Sequence, residues 1–172
     1  MKKIDHYITK FINKIILKYR LLSIFFGLIT HTSSGKILPI YALLIPITFP
    51  DGVSILKFGL IGFGFQVPLY FILKNLIKRE RPSAKNQINQ IIKPPDKYSF
   101  PSGHCASSTL LFCSFSYFNP STTIYLLIWV IIIFISRIGL GIHYFSDAIF
   151  GIFLGIISFI FAFFLNDIFL IT

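Results

Sequence analysis

The chain has 172 residues, of which 55% are hydrophobic, 17% are aromatic and only 13% are charged. This length holds one domain, and the composition excludes an ordinary soluble protein and favours an integral membrane protein. The net charge of +10 does not indicate a nucleic-acid-binding module, because the basic residues lie beside long apolar runs. Anionic lipid headgroups or a phosphorylated substrate are the better partners.

The first thirty residues, 1–30, are predicted to form an amphipathic helix. Lys10, Lys14 and Lys18 recur at helical spacing among apolar residues, a pattern typical of a basic helix lying in the membrane interface. We expect this helix to lie on the bilayer without crossing it. If residues 8–30 did cross, the chain would have six spans.

The rest of the chain predicts about five transmembrane helices. These are residues 37–49, 53–77, 105–118, 122–135 and 143–165. Some are shorter than the roughly 20 residues that an independent span needs, so we expect them to support one another. The fold class is therefore an all-α, polytopic membrane helical bundle, within which Gly59, Gly62 and Gly64 are expected to allow close helix contacts.

A polar, basic loop at residues 78–100 separates the second and third spans. Two spans lie between this loop and the connection at residues 136–143. Both segments therefore fall on the same side of the membrane, where the chemically active residues of each can meet.

A first cluster of such residues lies at the end of the second span. Lys74 and Arg81 are seven residues apart, or two helical turns, and Pro82 follows. Two cations at this spacing can face one point, at the place where proline ends the helix. By itself the cluster also fits a group of basic side chains extending to the membrane edge.

A second cluster immediately precedes the third span. Ser102 is a good N-cap residue and Gly103 has no side chain, so backbone N–H groups and the helix dipole can hold an anion there. His104 is placed to donate a proton to a leaving oxygen of that anion. The alternative is an ordinary helix cap followed by a surface histidine.

A third cluster contains Arg137, His143 and Asp147. In a helix, residues four apart share a face, so the Asp147 carboxylate can reach one imidazole nitrogen of His143, fix its tautomer and leave the other nitrogen free to attack. Arg137 adds a fork of donors suited to phosphate oxygens. A purely structural His–Asp pair is the alternative, but the three clusters together supply every part of a phosphoryl-transfer site.

Neither a metal nor a cofactor is expected. The chain has six carboxylates, and none of them forms a cluster with the spacing of a two-metal site. Stabilisation of phosphate charge must then come from lysine and arginine side chains.

Taken together, the patterns Lys-x6-Arg-Pro, Pro-Ser-Gly-His and Ser-Arg-x5-His-x3-Asp resemble the signature of the type 2 phosphatidic acid phosphatase family, over residues 74–147. The resemblance implies a single membrane-embedded domain, residues 1–172, similar to small bacterial members. It implies a metal-independent phosphatase in which His143 forms a phosphohistidine, Asp147 orients it and His104 protonates the leaving group. The residues that the resemblance assigns to phosphate binding are Lys74, Arg81, Ser102, Gly103 and Arg137.

The resemblance implies hydrolysis of a membrane lipid phosphate or diphosphate. Undecaprenyl diphosphate is the favoured substrate, and phosphatidic acid, phosphatidylglycerophosphate and lipid A also fit the family. A lipid phosphotransferase is one alternative, in which a lipid acceptor replaces water. A non-catalytic membrane protein with a relict site is another, although the intact histidines and aspartate argue against it. The sequence leaves the oligomeric state open.

Two features of the sequence bear on the localisation of the protein and the orientation of its active site. The resemblance implies a bacterial inner membrane, with the active site facing the periplasm or the outside. In the five-span arrangement, however, nearly all basic residues fall on the active-site side and Lys57 is almost alone opposite. The positive-inside rule would place that basic side in the cytoplasm. We expect the extracytoplasmic orientation, because phosphate binding accounts for several of those cations.

Overall fold

The computed structural model describes residues 2–85, 88–94 and 96–171. Within these ranges the chain forms seven α-helices and no β-strand, as predicted for an all-α membrane protein. The helices are α1 (Lys2–Lys18), α2 (Arg20–Ile29), α3 (Leu38–Thr48), α4 (Gly52–Ile77), α5 (Gly103–Phe118), α6 (Thr123–Gly139) and α7 (Phe145–Ile171).

The predicted N-terminal helix is divided into two. Tyr19 has extended backbone angles, with φ −118° and ψ 110°, so α1 ends and α2 begins around it. Thr9, Asn13 and Ile16 form the buried face of α1, which packs against α6 and α7. The Asn13 side-chain amide donates hydrogen bonds to the carbonyl oxygens of Gly139, at 2.7 Å, and Asn89, at 2.9 Å. The helix is therefore joined to the protein, and its lysines at positions 10, 14 and 18 face outward.

Three of the described helical segments are long and apolar enough to cross a membrane. They are Gly52–Ala84, Pro120–Gly139 and Phe145–Asp167. Arg20–Ser33 and Leu38–Thr48 form a pair bent by 70° that together qualify as a fourth. The predicted spans 37–49 and 105–118 correspond to α3 and α5, with 11 and 16 residues. Each is shorter than a typical span, so they depend on their neighbours.

Helix α5 lies at the centre of the bundle and packs against α4, α6 and, most extensively, α7. Its contact with α7 depends on two glycines. A Cβ atom on Gly155 would lie 2.5 Å from the Ala106 carbonyl oxygen, and one on Gly151 would lie 2.5 Å from the Ser102 carbonyl oxygen. Only glycine permits this approach of two helix backbones.

The predicted role of the α4 glycines holds at one of three positions. A Cβ on Gly62 would meet the Leu110 side chain at 2.6 Å, so this glycine does allow close packing. Gly59 and Gly64 have nothing within 4 Å of an added Cβ. For these two the prediction was wrong, because an added side chain would meet no neighbouring helix.

The chemically active segments meet at one end of the bundle. Helix α4 ends at Lys78, whose φ of 47° turns the chain out of the helix. Helix α5 begins after Ser102, whose N–H donates to the carbonyl oxygen of Asp147 at 3.0 Å. Arg81 in turn donates to the carbonyl oxygen of Ile142 at 2.8 Å, in the connection between α6 and α7. The three clusters of the sequence are thus brought together.

Candidate active site

A cavity of about 240 Å³ lies where the three clusters meet. Five of the eight predicted site residues line it: Arg81, Gly103, His104, Arg137 and His143. The other three, Lys74, Ser102 and Asp147, are buried and do not line the cavity. The remaining wall is largely apolar and includes Leu38, Phe63, Val67 and Phe71. The cavity thus combines a cationic, histidine-bearing end with an apolar side.

A larger depression of about 690 Å³ lies over the polar loop. Its lining includes Glu80, Arg81, Lys97 and Tyr98, but neither His104 nor His143. It shares Arg81 with the smaller cavity. We therefore assign the chemistry to the smaller cavity, where both histidines lie.

The His143 imidazole is oriented by a backbone carbonyl. Its Nδ1 lies 2.6 Å from the Ser99 carbonyl oxygen, whereas the nearest Asp147 oxygen is 4.0 Å away. Because a carbonyl only accepts hydrogen bonds, Nδ1 carries the proton and Nε2 has a free lone pair. The predicted direct bond from Asp147 to the ring is therefore absent, since 4.0 Å exceeds hydrogen-bond length.

Asp147 instead holds the turn that carries His143. Its carboxylate is fully buried and accepts a hydrogen bond from the Tyr144 N–H at 2.9 Å. The other carboxylate oxygen accepts from the Arg79 guanidinium at 2.6 Å. Asp147 thus acts on the histidine through the neighbouring backbone.

The electrostatic environment favours the neutral form of His143. Burial lowers its pKa well below the usual value, and the positive charges of Arg137, Arg81 and Lys74 lower it further. A neutral imidazole with a free Nε2 has the form that a nucleophile requires.

The cations of the first cluster converge on one carboxylate, Asp96. This residue lies 2.7 Å from Lys74 Nζ and 2.5 Å from the Arg81 guanidinium, and it accepts a hydrogen bond from the Tyr70 hydroxyl at 2.8 Å. Partial burial opposes ionisation of Asp96, but hydrogen bonds from Lys74 and Tyr70 outweigh this effect and lower its pKa. An ionised carboxylate therefore engages two of the predicted phosphate-binding cations.

Arg137 is 2% exposed and donates one hydrogen bond to the Thr30 hydroxyl, at 2.9 Å. Its Nε has no hydrogen-bond partner among the described residues. Buried polar groups are nearly always hydrogen-bonded, and a phosphate oxygen in the cavity would supply an acceptor.

The start of α5 provides part of the expected anion site. The Ser102 N–H donates its hydrogen bond to the Asp147 carbonyl oxygen. It is therefore not the free donor for an anion that the sequence predicted. Gly103 and His104 occupy the first turn of α5, where N–H groups have no intrahelical acceptor. A Cβ on Gly103 would approach the Tyr70 ring to 3.1 Å, so the small residue keeps this turn open to the cavity.

Several residues of the site were not recognised in the sequence. They are Asp5, Thr30, Tyr70, Arg79, Asp96 and Ser99. Arg79 lies in the basic run next to Arg81, which is a weak signal. The remaining residues show no local pattern that indicates a role.

Among the described residues, no three His, Cys, Asp or Glu side chains are placed to hold a metal ion together. Metal independence of the reaction stays a prediction, and it is tested below with a chelator.

Comparison with known proteins identifies the family. A family model described as the PAP2 superfamily matches residues 53–167, more than half of the chain. The chain belongs to the PAP2 superfamily. The resemblance to type 2 phosphatidic acid phosphatases is thereby confirmed, and the matched region contains all three clusters.

One PAP2 relative is phosphatidylglycerophosphatase B of Bacillus subtilis (strain 168). It is 29% identical over 111 residues, which make up 58% of this chain and 52% of the relative. The chain thus aligns with about half of that protein's length.

Two solved structures share the fold. The crystal structure of Aquifex aeolicus LpxE has a TM-score of 0.81 at 23% identity, covering 91% of this chain and 93% of that one. A transmembrane PAP2 type phosphatidylglycerolphosphate phosphatase from Bacillus subtilis has a TM-score of 0.77 at 22% identity, covering 96% and 86%. At these identities the similarity establishes the PAP2 membrane fold.

Proposed function

We propose that this protein is a metal-independent phosphatase that hydrolyses membrane lipid phosphates through a phosphohistidine. The observation that carries the proposal is the single cavity where His143, His104, Arg81 and Arg137 meet beside an apolar wall. Phosphoryl transfer requires positioning and stabilisation of charge on the phosphate oxygens. Basic side chains and the first turn of α5 can supply both.

In the first step, His143 Nε2 attacks phosphorus and forms the N–P bond while the P–O bond to the lipid breaks. Burial and the charge of Arg137 lower the pKa of His104, so the ring takes its proton from the bound phosphate monoester and gives it to the departing lipid oxygen. Lys74, Arg81 and Arg137, with the start of α5 at Ser102 and Gly103, stabilise the transferring group.

In the second step, water attacks phosphorus. His104, now neutral, takes the proton from the water, the N–P bond breaks and inorganic phosphate leaves. Dividing the displacement at a covalent intermediate replaces one difficult step with two easier ones. If a lipid hydroxyl replaced water, the same steps would give a phosphotransferase.

The substrate class follows from the position of the cavity. Its apolar wall, with Phe63, Val67 and Phe71, suits a lipid whose headgroup reaches the cations from the bilayer. The relative named phosphatidylglycerophosphatase B favours phosphatidylglycerophosphate. Undecaprenyl diphosphate is the substrate favoured from the sequence, but no residue of this chain supports it over the other lipids. We therefore treat phosphatidylglycerophosphate and undecaprenyl diphosphate as the two leading candidates.

The test is phosphate release by the purified protein in detergent, in the presence of EDTA. The panel contains undecaprenyl diphosphate, phosphatidic acid, phosphatidylglycerophosphate and lipid A. We expect release from at least one lipid at an undiminished rate with EDTA, because side-chain cations perform the charge stabilisation. Activity that is lost with EDTA and restored by a divalent ion would overturn the metal-independent mechanism. Silence across the panel would overturn the hydrolase assignment.

We further propose that the membrane is a bacterial inner membrane, with the active site facing the periplasm or the outside. The polar loop and the cavity lie at one end of the bundle, so one accessibility measurement decides the orientation of both.

A further inference from the structure

Helix α7, which carries Asp147, is capped by residues of α1. Asp5 accepts a hydrogen bond from the Ser146 N–H at 2.9 Å and another from the Ser146 hydroxyl at 2.7 Å. The Thr9 hydroxyl oxygen accepts from the Phe145 N–H at 3.1 Å. The first N–H groups of a helix have no intrahelical acceptor and are usually capped by adjacent residues. Here residues near the N-terminus supply the caps.

Arg79 connects this contact to the carboxylate of Asp147. Its guanidinium donates to Asp147 at 2.6 Å and lies 2.5 Å from a carboxylate oxygen of Asp5. It also lies over the Tyr144 ring, 4.1 Å from the ring centre. One arginine therefore joins α1 to the residue that holds the His143 turn.

The backbone of Arg79 supports His143 from the other side. Its carbonyl oxygen accepts a hydrogen bond from the Ser99 N–H at 2.8 Å. The Ser99 carbonyl oxygen is in turn the acceptor for His143 Nδ1, at 2.6 Å. Both groups that orient the nucleophile, Ser99 and Asp147, are thus held by Arg79.

We propose that Arg79 and Asp5 are positioning residues for the nucleophile, and that α1 is a structural part of the active site. This inference rests on the proposed function. Asp5 fixes the guanidinium of Arg79, and the guanidinium fixes Asp147, which holds the turn that carries His143. The backbone carbonyl of Arg79 holds Ser99, whose own carbonyl accepts from the His143 ring. Neither Arg79 nor Asp5 lines the cavity, so they act through other residues and do not touch the substrate.

The arrangement predicts a ranking of effects. Without the Arg79 guanidinium, the fully buried Asp147 loses its cationic partner, whereas the Ser99 N–H still donates to the backbone carbonyl of residue 79. Without the Asp5 charge, Arg79 still reaches Asp147. A misplacement of about 1 Å at a reacting group can cost roughly 100-fold in rate. We therefore expect Arg79→Gln to lower kcat roughly 100-fold and Asp5→Asn to lower it less, roughly 10-fold.

The experiment measures kcat and KM separately for Arg79→Gln, Asp5→Asn, the double variant and Arg79→Lys. Inhibition by inorganic phosphate and the melting temperature are measured alongside. The controls are Lys78→Gln, an exposed cation beside Arg79, and Asp51→Asn, an exposed carboxylate. We expect kcat to fall while KM and phosphate inhibition stay near wild type, because Lys74, Arg81 and Arg137 are retained. Arg79→Lys should recover part of the loss.

Coupling between the two positions separates positioning from general stability. If Asp5 acts through Arg79, the double variant should be no slower than Arg79→Gln alone. Independent, multiplicative losses would overturn the proposal. The proposal would also be overturned if the loss of kcat in each variant matched its loss of folded protein. It would equally be overturned if both single variants kept the wild-type kcat.

A measurement without turnover keeps this inference distinct from the proposed function. In 15N spectra of the histidine side chains, assigned with His143→Ala, Arg79→Gln should alter the His143 Nδ1–H signal. The reason is that Asp147, which holds the turn carrying His143 and lies 4.0 Å from Nδ1, loses its cationic partner. An unchanged signal would overturn the positioning role even if no lipid in the panel is hydrolysed. An altered signal with no hydrolysis would count against the proposed reaction alone.

Discussion

The proton of the His143 imidazole is assigned by a single short contact. The ring is 2% exposed, and its Nδ1 faces a carbonyl oxygen that can only accept. Burial then lowers the pKa of the ring, with Arg137 as the next cause. Tautomer and charge state are thus set by two separate physical effects, and both leave Nε2 unprotonated at neutral pH.

His143→Ala should abolish turnover of any lipid that the wild-type protein hydrolyses, by roughly 1,000-fold or more, because the variant lacks the nitrogen that forms the N–P bond in the proposed first step. The variant should remain folded in detergent, since loss of one side chain at the cavity leaves the helix contacts intact. Phosphate release and size-exclusion profiles check the two expectations. Residual turnover near the wild-type rate would remove His143 from the nucleophile's role.

We expect Asp96 to compete with substrate phosphate for the two cations that it contacts. Lys74 and Arg81 each contact its carboxylate, so a phosphate that binds them must displace it. Asp96→Asn removes the negative charge while keeping the shape of the side chain. We expect inorganic phosphate to inhibit this variant several-fold more strongly than wild type, since a competing charge-assisted contact is worth about 1.5–3 kcal/mol at most.

The control for Asp96 is Asp51→Asn, an exposed carboxylate at the opposite end of α4. Phosphate inhibition of this control should match wild type. Weaker inhibition of Asp96→Asn than of wild type would show that Asp96 holds the two cations in their binding positions and does not compete for them.

At the level of helices, the α5–α7 contact decides where the catalytic segments lie. Gly151 and Gly155 let the backbones approach, and the N–H of Ser102 then reaches the carbonyl of Asp147. The start of α5, which carries His104, is thereby fixed against the start of α7. In a membrane the hydrophobic effect does not drive helices together, because lipid tails are as apolar as the side chains. Close packing at glycine is therefore a common source of helix association there.

Gly155→Ala should lower the melting temperature in detergent, because the new Cβ would lie 2.5 Å from the Ala106 carbonyl oxygen. This oxygen belongs to the helix backbone, which cannot move aside as a flexible side chain could. Overpacking of this kind costs about 1–3 kcal/mol. The control is Gly64→Ala, where nothing lies within 4 Å of the added atom. It should melt at or slightly above the wild-type temperature, as alanine favours helix. Equal melting of Gly155→Ala and wild type would contradict the packing argument.

The whole molecule presents an apolar exterior. Large side chains such as Leu21, Ile47, Leu76 and Tyr125 are each more than 70% exposed, which is unfavourable in water and favourable in lipid. The charged residues that the structure buries lie at one end instead, around Lys74 and Arg81. This separation of apolar exterior from charged end supports the proposal that the cavity receives a lipid headgroup at the bilayer edge.

The orientation of that end can be measured at Lys97, an exposed residue of the polar loop. In a Lys97→Cys variant, a membrane-impermeant maleimide added to intact cells should label the new thiol, as an extracytoplasmic site requires. The wild-type chain, with Cys105 buried and Cys113 partly buried, is the control for background labelling. Labelling only after membrane disruption would place the active site in the cytoplasm, as the basic residues alone indicate.

The class of protein and the reactive side chains of the predicted site can be read from the sequence alone. Apolar content establishes a membrane protein, and the signature in residues 74–147 places the chain in its family. Both follow from local information, since a span needs a continuous apolar run and the catalytic groups occur at fixed spacing near helix ends.

The groups that hold the predicted catalytic residues become visible only when the helices are packed together. Arg79 and Asp147 are 68 positions apart, and Asp5 and Ser146 are 141 apart. No periodicity or motif links residues at such separations, because their contact depends on how α1, α4 and α7 pack. The same applies to the Ser99 carbonyl on His143, since every residue has a backbone carbonyl and only the fold selects one of them.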